Sequence, residues 1–364
     1  MIEENEKTDA RRANRKEAEC MEAESLDLSQ RSRVSCIPEK ELEKQMTDTV
    51  EPYLEKIVVR GRLETEGQKG ADGSGGTRAE GLYYELYPQT PAKGTVVICY
   101  GFTESCLKYH ELIYYFHRQG YQAAVMDHRG HGKSLRETED ATVVHIGHFS
   151  DYVKDLHRFV VEAVKPMSGE QPLFLYAHSM GGCIGAFYLE QYPEEFQRAV
   201  LNAPMLGLNM GSFPAWAARA LCDWKTMKGE GKERLFTQSG FDPEEPFEKS
   251  AASSEARHAY YQKLRREDEA CQTCSASYCW GREAINAGKF VIRRKQAEKV
   301  KTPVLLFQAG LESLVKPSAQ RTFLSRIEEG RLMLVENVRH EIYRAPNEVL
   351  EPYLEEIFRF YEGK

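Results

Sequence analysis

From Thr95 onward, short continuous apolar runs alternate with longer amphipathic stretches, and this rhythm restricts the fold more than any other feature of the chain. Residues 95–100 (TVVICY), 122–127 (QAAVMD), 173–177 (LFLYA) and 199–202 read as strands, and 304–308 (VLLFQ) and 332–335 repeat the pattern later. Between them, residues 109–119, 149–164, 181–191, 318–327 and 348–361 carry helical periodicity. Strands that are apolar throughout are buried on both faces. The pattern therefore predicts an α/β fold, a mostly parallel sheet with helices on both sides. Ligands in such sheets bind beyond the carboxyl ends of the strands, so chemistry-bearing residues should follow strands directly.

Two regions depart from the alternation. Upstream, residues 57–61 (IVVRG) and 81–87 (GLYYELY) have strand character and flank a Gly-rich stretch at 64–81, which suggests a hairpin. Residues 1–45 are charged and poor in aromatics, and read as a disordered or loosely helical extension. Downstream, residues 204–300 lack a clear strand and hold all three tryptophans, Trp216, Trp224 and Trp280. A structureless loop of that length is implausible in a compact domain. It reads as a helical cap inserted after the sixth strand, dividing a core made of residues 46–203 and 301–364.

Charge narrows the function classes. Acidic residues outnumber basic ones, 56 to 49, for a net charge of −7, which argues against a dedicated nucleic-acid binder. No run approaches the roughly 20 apolar residues of a membrane span, and residues 1–16 lack the apolar core of a secretory signal. Nine scattered cysteines fit reduced thiols. The expectation is a cytoplasmic protein, with peripheral contact to a lipid surface through the cap left open, as is the oligomeric state.

The sharpest local signal is Tyr176-Ala177-His178-Ser179-Met180-Gly181-Gly182, after a predicted strand and opening a predicted helix. Small residues around a tight strand-to-helix turn lift a serine hydroxyl clear of the sheet, the arrangement of a G-x-S-x-G nucleophile elbow with alanine as its first small residue. An activated serine needs a base and an acid that orients it, in the chain order Ser, acid, His. Only His258 and His340 follow Ser179, and His258 falls inside the cap, so His340 is the candidate base. No aspartate follows Asp268, and Glu312, just past the strand at 304–308, is the candidate acid. The backbone N–H groups of Met180, at the helix start, and Phe102, after the strand at 95–100, are the candidate oxyanion donors.

The residues then resemble a known branch. Tyr100-Gly101-Phe102-Thr103-Glu104-Ser105 with Lys108-Tyr109, Asp127-His128-Arg129-Gly130-His131-Gly132-Lys133-Ser134 and Phe149-Ser150-Asp151-Tyr152-Val153 belong to the match. So do the elbow, Asn202-Ala203-Pro204-Met205, Gln308-Ala309-Gly310-Leu311-Glu312 and Val338-Arg339-His340-Glu341-Ile342. Together they are similar to the alpha/beta-hydrolase branch of bacterial lysophospholipases and monoacylglycerol lipases, a group of serine aminopeptidase-type hydrolases. The resemblance implies Ser179 as nucleophile, His340 as base and position 312 as acid. Two departures stand out: Tyr100 occupies the place of a histidine in monoacylglycerol lipases, and Glu312 that of an aspartate, the latter looking like the lysophospholipase variant.

Other motifs carry less. Asp127 to Gly132 reads as a Gly-rich turn rather than metal ligands, and Cys271-x-x-Cys274 lacks a second ligand pair, so no metal is expected. Neither G-x-G-x-x-G nor a P-loop occurs, so no cofactor is expected. The expectation is a cofactor-independent serine hydrolase of a lipid ester, a lysophospholipid or monoacylglycerol, with Met205, Met210, Phe213, Trp216 and Trp224 lining an acyl pocket. A proline-releasing aminopeptidase, with Glu244, Glu245 or Glu248 holding the substrate amine, and a non-catalytic binding protein are the rivals.

Overall fold

The computed structural model describes residues 23–29, 32–64 and 81–364. The Gly-rich stretch after Glu64 and residues 1–22 of the extension lie outside the described residues. In chain order the strands are β1 (Glu24–Ser25), β2 (Val59–Leu63), β3 (Leu82–Tyr87), β4 (Thr95–Cys99), β5 (Gln122–Met126), β6 (Val143–Val144), β7 (Leu173–His178), β8 (Arg198–Asn202), β9 (Ser275–Ala276), β10 (Val304–Ala309) and β11 (Gly330–Val335). Nine form one sheet in the order β1-β11-β10-β8-β7-β4-β5-β3-β2. β2 and β3 pair antiparallel, as do β3 and β5; the remaining pairs are parallel.

Every residue of β4, β5, β7 and β10 is buried, which is why these strands are apolar at consecutive positions rather than at alternate ones. Two core clusters fill the two faces: one gathers Leu175, Ile184 and Leu201, the other Tyr176, Val200 and Tyr353. Alternate residues of β7 and β8 thus enter opposite layers, as the pleat requires. The sheet is that of an alpha/beta hydrolase. The upstream hairpin is present as β2 and β3, with β2 starting two residues later than the sequence suggests.

The extension is where sequence and structure differ. Within residues 1–45, the described part is packed rather than loose. β1 pairs with β11, and Val34, Cys36 and Leu42 are buried. Leu42, Met46, Val50 and Leu54 form one buried stripe across a helical segment with a π turn at Met46–Val50. The wider turn keeps a strict spacing of four residues on one face. The boundary at residue 45 cuts through this element.

Residues 204–300 are mostly helical, with helices at Ala215–Met227, Glu255–Glu267 and Tyr278–Val291, plus the short β9 paired with β6. The Glu255–Glu267 helix is fastened to the core by Arg257. Its buried guanidinium donates to both oxygens of Glu111 (2.7–3.2 Å), to the Ala345 carbonyl (3.0 Å) and to Asn347 (2.9 Å). Among the described residues no helix is long and apolar enough to cross a membrane.

Candidate active site

Ser179 follows β7 and opens the Met180–Gln191 helix with φ 52° and ψ −116°, a conformation that costs a non-glycine residue about 1–3 kcal/mol. Its surroundings hold it there: the Ser179 N–H donates to the Asn202 carbonyl (3.0 Å), and the Ser179 carbonyl accepts from the Met205 N–H (2.8 Å). The glycines that follow are required by space. A Cβ on Gly181 would lie 2.0 Å from the Cys99 carbonyl oxygen, and one on Gly182 would lie 2.5 Å from Pro204. Helix and strand ends therefore approach closely enough to raise the serine above the sheet.

His340 stands in the loop after β11 and Glu312 in the loop after β10. The structure brings the three side chains into one chain of hydrogen bonds: His340 Nε2 is 2.7 Å from Ser179 Oγ, and His340 Nδ1 is 2.7 Å from Glu312 Oε2. Burial alone would raise the Glu312 pKa. The hydrogen bond and charge of His340, with the N–H groups of Leu314 (2.8 Å) and Val315 (3.2 Å) on Oε1, outweigh it and hold the carboxyl below its usual range. An ionised carboxylate only accepts, so Nδ1 carries the proton and Nε2 offers its lone pair to the serine hydroxyl.

The loop after β4 carries Phe102. The Tyr100 hydroxyl donates to Asp127 (2.9 Å) and accepts from the His128 N–H (2.9 Å). Asp127 also accepts from the N–H groups of Cys106 (2.8 Å) and Lys133 (2.7 Å). That part of the Asp127–Gly132 motif is a loop organiser. Phe102 lines the same cavity as Ser179, while the Met180 side chain is fully buried.

A buried charged network absent from the sequence reading lies beneath. Glu104 accepts from the Gly101 N–H (2.6 Å), the Tyr109 and Tyr343 hydroxyls (2.8 Å each) and Lys108 (2.8 Å). Lys108 also reaches Glu341 (2.6 Å), which in turn pairs with Arg344 (2.6 Å). Lys108 thus ties the loop of Phe102 to the loop of His340. Desolvation opposes both carboxylates, but the cations hold Glu104 and Glu341 ionised. His178 is different: burial depresses it to about 4 against the pull of Glu104, so it stays neutral 4.9 Å from the His340 ring. Only the neighbours of Glu104 and Glu341 in the folded chain make these positions legible; their sequence context carries no signal beyond the resemblance.

Above the serine is a cavity of about 750 Å³. Ser179 and His340 line it, with Met205, Met210 and Phe213, and also Leu208, Leu221, Leu235, Ile285 and Leu314. Trp216 and Trp224 do not. Trp216 is 73% exposed on the Ala215–Met227 helix, which turns Leu221 and Cys222 toward the cavity instead. Trp280 takes the place expected of them and lines the cavity beside Phe102.

Residues 90–347 match the model of the family described as serine aminopeptidase, S33. The chain belongs to this family. It is 31% identical over 256 residues to lysophospholipase L2 of Escherichia coli K12, covering 68% of this chain and 74% of that protein. It is 26% identical to a monoacylglycerol lipase of Mycolicibacterium smegmatis, covering 79% of this chain and 94% of that one. The solved monoacylglycerol lipase of Paleococcus ferrophilus superposes with a TM-score of 0.60 at 23% identity, over 77% of this chain and 99% of its own. As an S33 hydrolase, the chain carries the family's fold with Ser179, His340 and Glu312 each placed after a sheet strand.

Proposed function

We propose that the protein is a serine hydrolase of carboxylic esters acting on lysophospholipids or monoacylglycerols through a Ser179–His340–Glu312 triad. The observation that carries the reading is the continuous pair of 2.7 Å contacts from Glu312 through His340 to Ser179, opening into a cavity with an apolar wall. The names of the curated relatives support the same substrate classes.

In this reading His340 Nε2 takes the hydroxyl proton of Ser179, and the oxygen attacks the ester carbonyl. The N–H groups of Phe102 and Met180 hold the oxyanion, and Glu312 stabilises the imidazolium. Neutral His178 adds no opposing positive charge beside it. The imidazolium returns its proton to the departing alcohol, leaving an acyl-enzyme. Water, deprotonated by the same histidine, releases the fatty acid and restores the serine.

The aminopeptidase reading requires a carboxylate free for a substrate amine. Of its three candidates, Glu245 alone lines the cavity, and it already accepts from Gln262 (2.8 Å) and pairs with Arg265 (3.3 Å). Ester hydrolysis is therefore favoured. A fluorophosphonate probe should label the native protein and leave Ser179→Ala unlabelled. Turnover of proline amides with none of acyl esters would overturn the reading in favour of the peptidase. No labelling of the native protein would favour a binding role.

A further inference from the structure

The cavity wall is divided by chemistry, and the division follows the elements that build it. The segments around the Ala215–Met227 and Tyr278–Val291 helices supply apolar side chains, including Leu221, Leu235 and Ile285. The opposite character comes from the region of the Glu255–Glu267 helix and the loops of Glu104 and Glu341. There Lys108, Lys249, Arg265 and Arg344 line the cavity together with the carboxylates Glu104, Glu245 and Glu341.

The pairing leaves one charge over. Lys108 is shared by Glu104 and Glu341, Arg344 by Glu341, and Arg265 pairs with Glu245. Lys249 alone of the four cations forms no ion pair among the described residues. Its side chain is exposed where it lines the cavity, and the backbone on either side of it is held in place. Arg339 donates to the carbonyls of Phe247 (2.7 Å), Ser250 (3.1 Å) and Ala252 (3.3 Å), and the Glu341 N–H donates to Ala251 (2.9 Å). The short helix that carries Lys249 is thereby fixed to the strip of backbone that carries His340. Two of the paired cations also flank Tyr261, whose centroid is 4.8 Å from Lys108 Nζ and 5.2 Å from the Arg344 guanidinium.

We infer that this polar wall binds an anionic phosphate-bearing headgroup, with Lys249 as its primary contact, while the apolar wall takes the acyl chain. The protein then distinguishes lysophospholipids from uncharged monoacylglycerols of the same chain length. This inference rests on the ester-hydrolase reading above. It adds the choice between that reading's two substrate classes and the residue that makes it. A glycerol headgroup carries no charge to meet the surplus cation, whereas a phosphodiester supplies one negative charge and two accepting oxygens.

The test uses the full chain in detergent micelles, with palmitoyl-glycerophosphoglycerol and monopalmitoylglycerol as paired substrates. Lys249→Ala should lower kcat/KM for the lysophospholipid about tenfold, the usual scale of a lost charged hydrogen bond, and change the monoacylglycerol value less than about twofold. Lys249→Glu should deepen the loss for the lysophospholipid only. Raising the salt should raise the lysophospholipid KM of the wild type more than that of Lys249→Ala. Equal losses on both substrates, or no loss on either, would overturn the headgroup site while leaving the hydrolase intact. Failure of the wild type to cleave either ester would instead remove the reading beneath it.

Discussion

Trp280 on the Tyr278–Val291 helix lies against Phe102 in the loop after β4, with ring centroids 4.1 Å apart and planes inclined by 33°. The contact joins residues 204–300 to the backbone segment that, in the proposed mechanism, supplies an oxyanion donor. Positioning at this level is where small displacements cost most, since a shift of about 1 Å can lower turnover about a hundredfold.

Trp280→Ala is therefore expected to lower kcat on a small soluble ester by about tenfold to a hundredfold, and Trp280→Phe to keep most of it. Steady-state kinetics should be read alongside thermal unfolding, because emptying a buried tryptophan site costs about 3–5 kcal/mol by itself. A fall in kcat at temperatures where the variant is fully folded is the outcome that assigns Trp280 a positioning role. Unchanged kcat would remove that role.

Glu312→Gln leaves the shape of the loop but takes away the acceptor that fixes the His340 tautomer. Loss of about 10⁴ in kcat is the scale for such a change in serine hydrolases. Glu312→Asp keeps the charge and withdraws it by one methylene, so a smaller loss is expected, on the order of ten- to a hundredfold. Equal rates for Gln and Glu at this position would show that another carboxylate orients the imidazole.

Stability should depend on pH through a pair remote from the serine. His110 Nδ1 is 2.8 Å from Glu51, and its Nε2 is 3.1 Å from Glu85. Burial lowers the His110 pKa, but hydrogen bonds with Glu51 and Glu85 outweigh it and raise it to about 10. Burial likewise opposes the Glu85 charge, and its partners bring it down to about 2. The histidine's contribution is complete below its unfolded pKa of about 6.5 and is lost as pH rises toward 10. The glutamate's is complete above its unfolded pKa of about 4.3 and is lost as pH falls toward 2. Denaturant midpoints should therefore decline on both sides of roughly pH 4.5–6.5. In His110→Ala the alkaline decline should flatten, with a loss of about 3–5 kcal/mol at neutral pH from the stranded carboxylate.

The Ala215–Met227 helix bears Trp216, 73% exposed, and Met227, 87% exposed. Exposed apolar surface of this kind suits docking on a lipid aggregate. Trp216→Ser is expected to weaken cosedimentation with phospholipid vesicles severalfold while leaving turnover of a soluble ester unchanged. Equal vesicle binding by both proteins would argue that the cap stays in water.

Legibility followed locality. Ser179 announces itself because the turn that lifts it demands small neighbours at Ala177, Gly181 and Gly182, and that demand is written within a few residues. His340 and Glu312 were reachable by chain order and elimination. The packed stripe Leu42-Met46-Val50-Leu54 has a visible spacing of four, but the charge around it masks it at the level of composition. Trp216 was misplaced for a different reason: a helix of mixed character does not declare which face it buries. The Glu104–Lys108–Glu341 network draws on residues more than 230 positions apart, and only the folded chain brings them together.

Arg257 anchors the Glu255–Glu267 helix to the core, whereas the Ala215–Met227 helix rests on Tyr278–Val291 within the cap itself. The two walls of the cavity therefore have separate foundations. The Ala215–Met227 helix could be exchanged for that of a relative with a different chain-length preference while Lys249 and its backbone supports stayed in register with His340. For protein engineering, this makes that helix a replaceable part of the cavity wall.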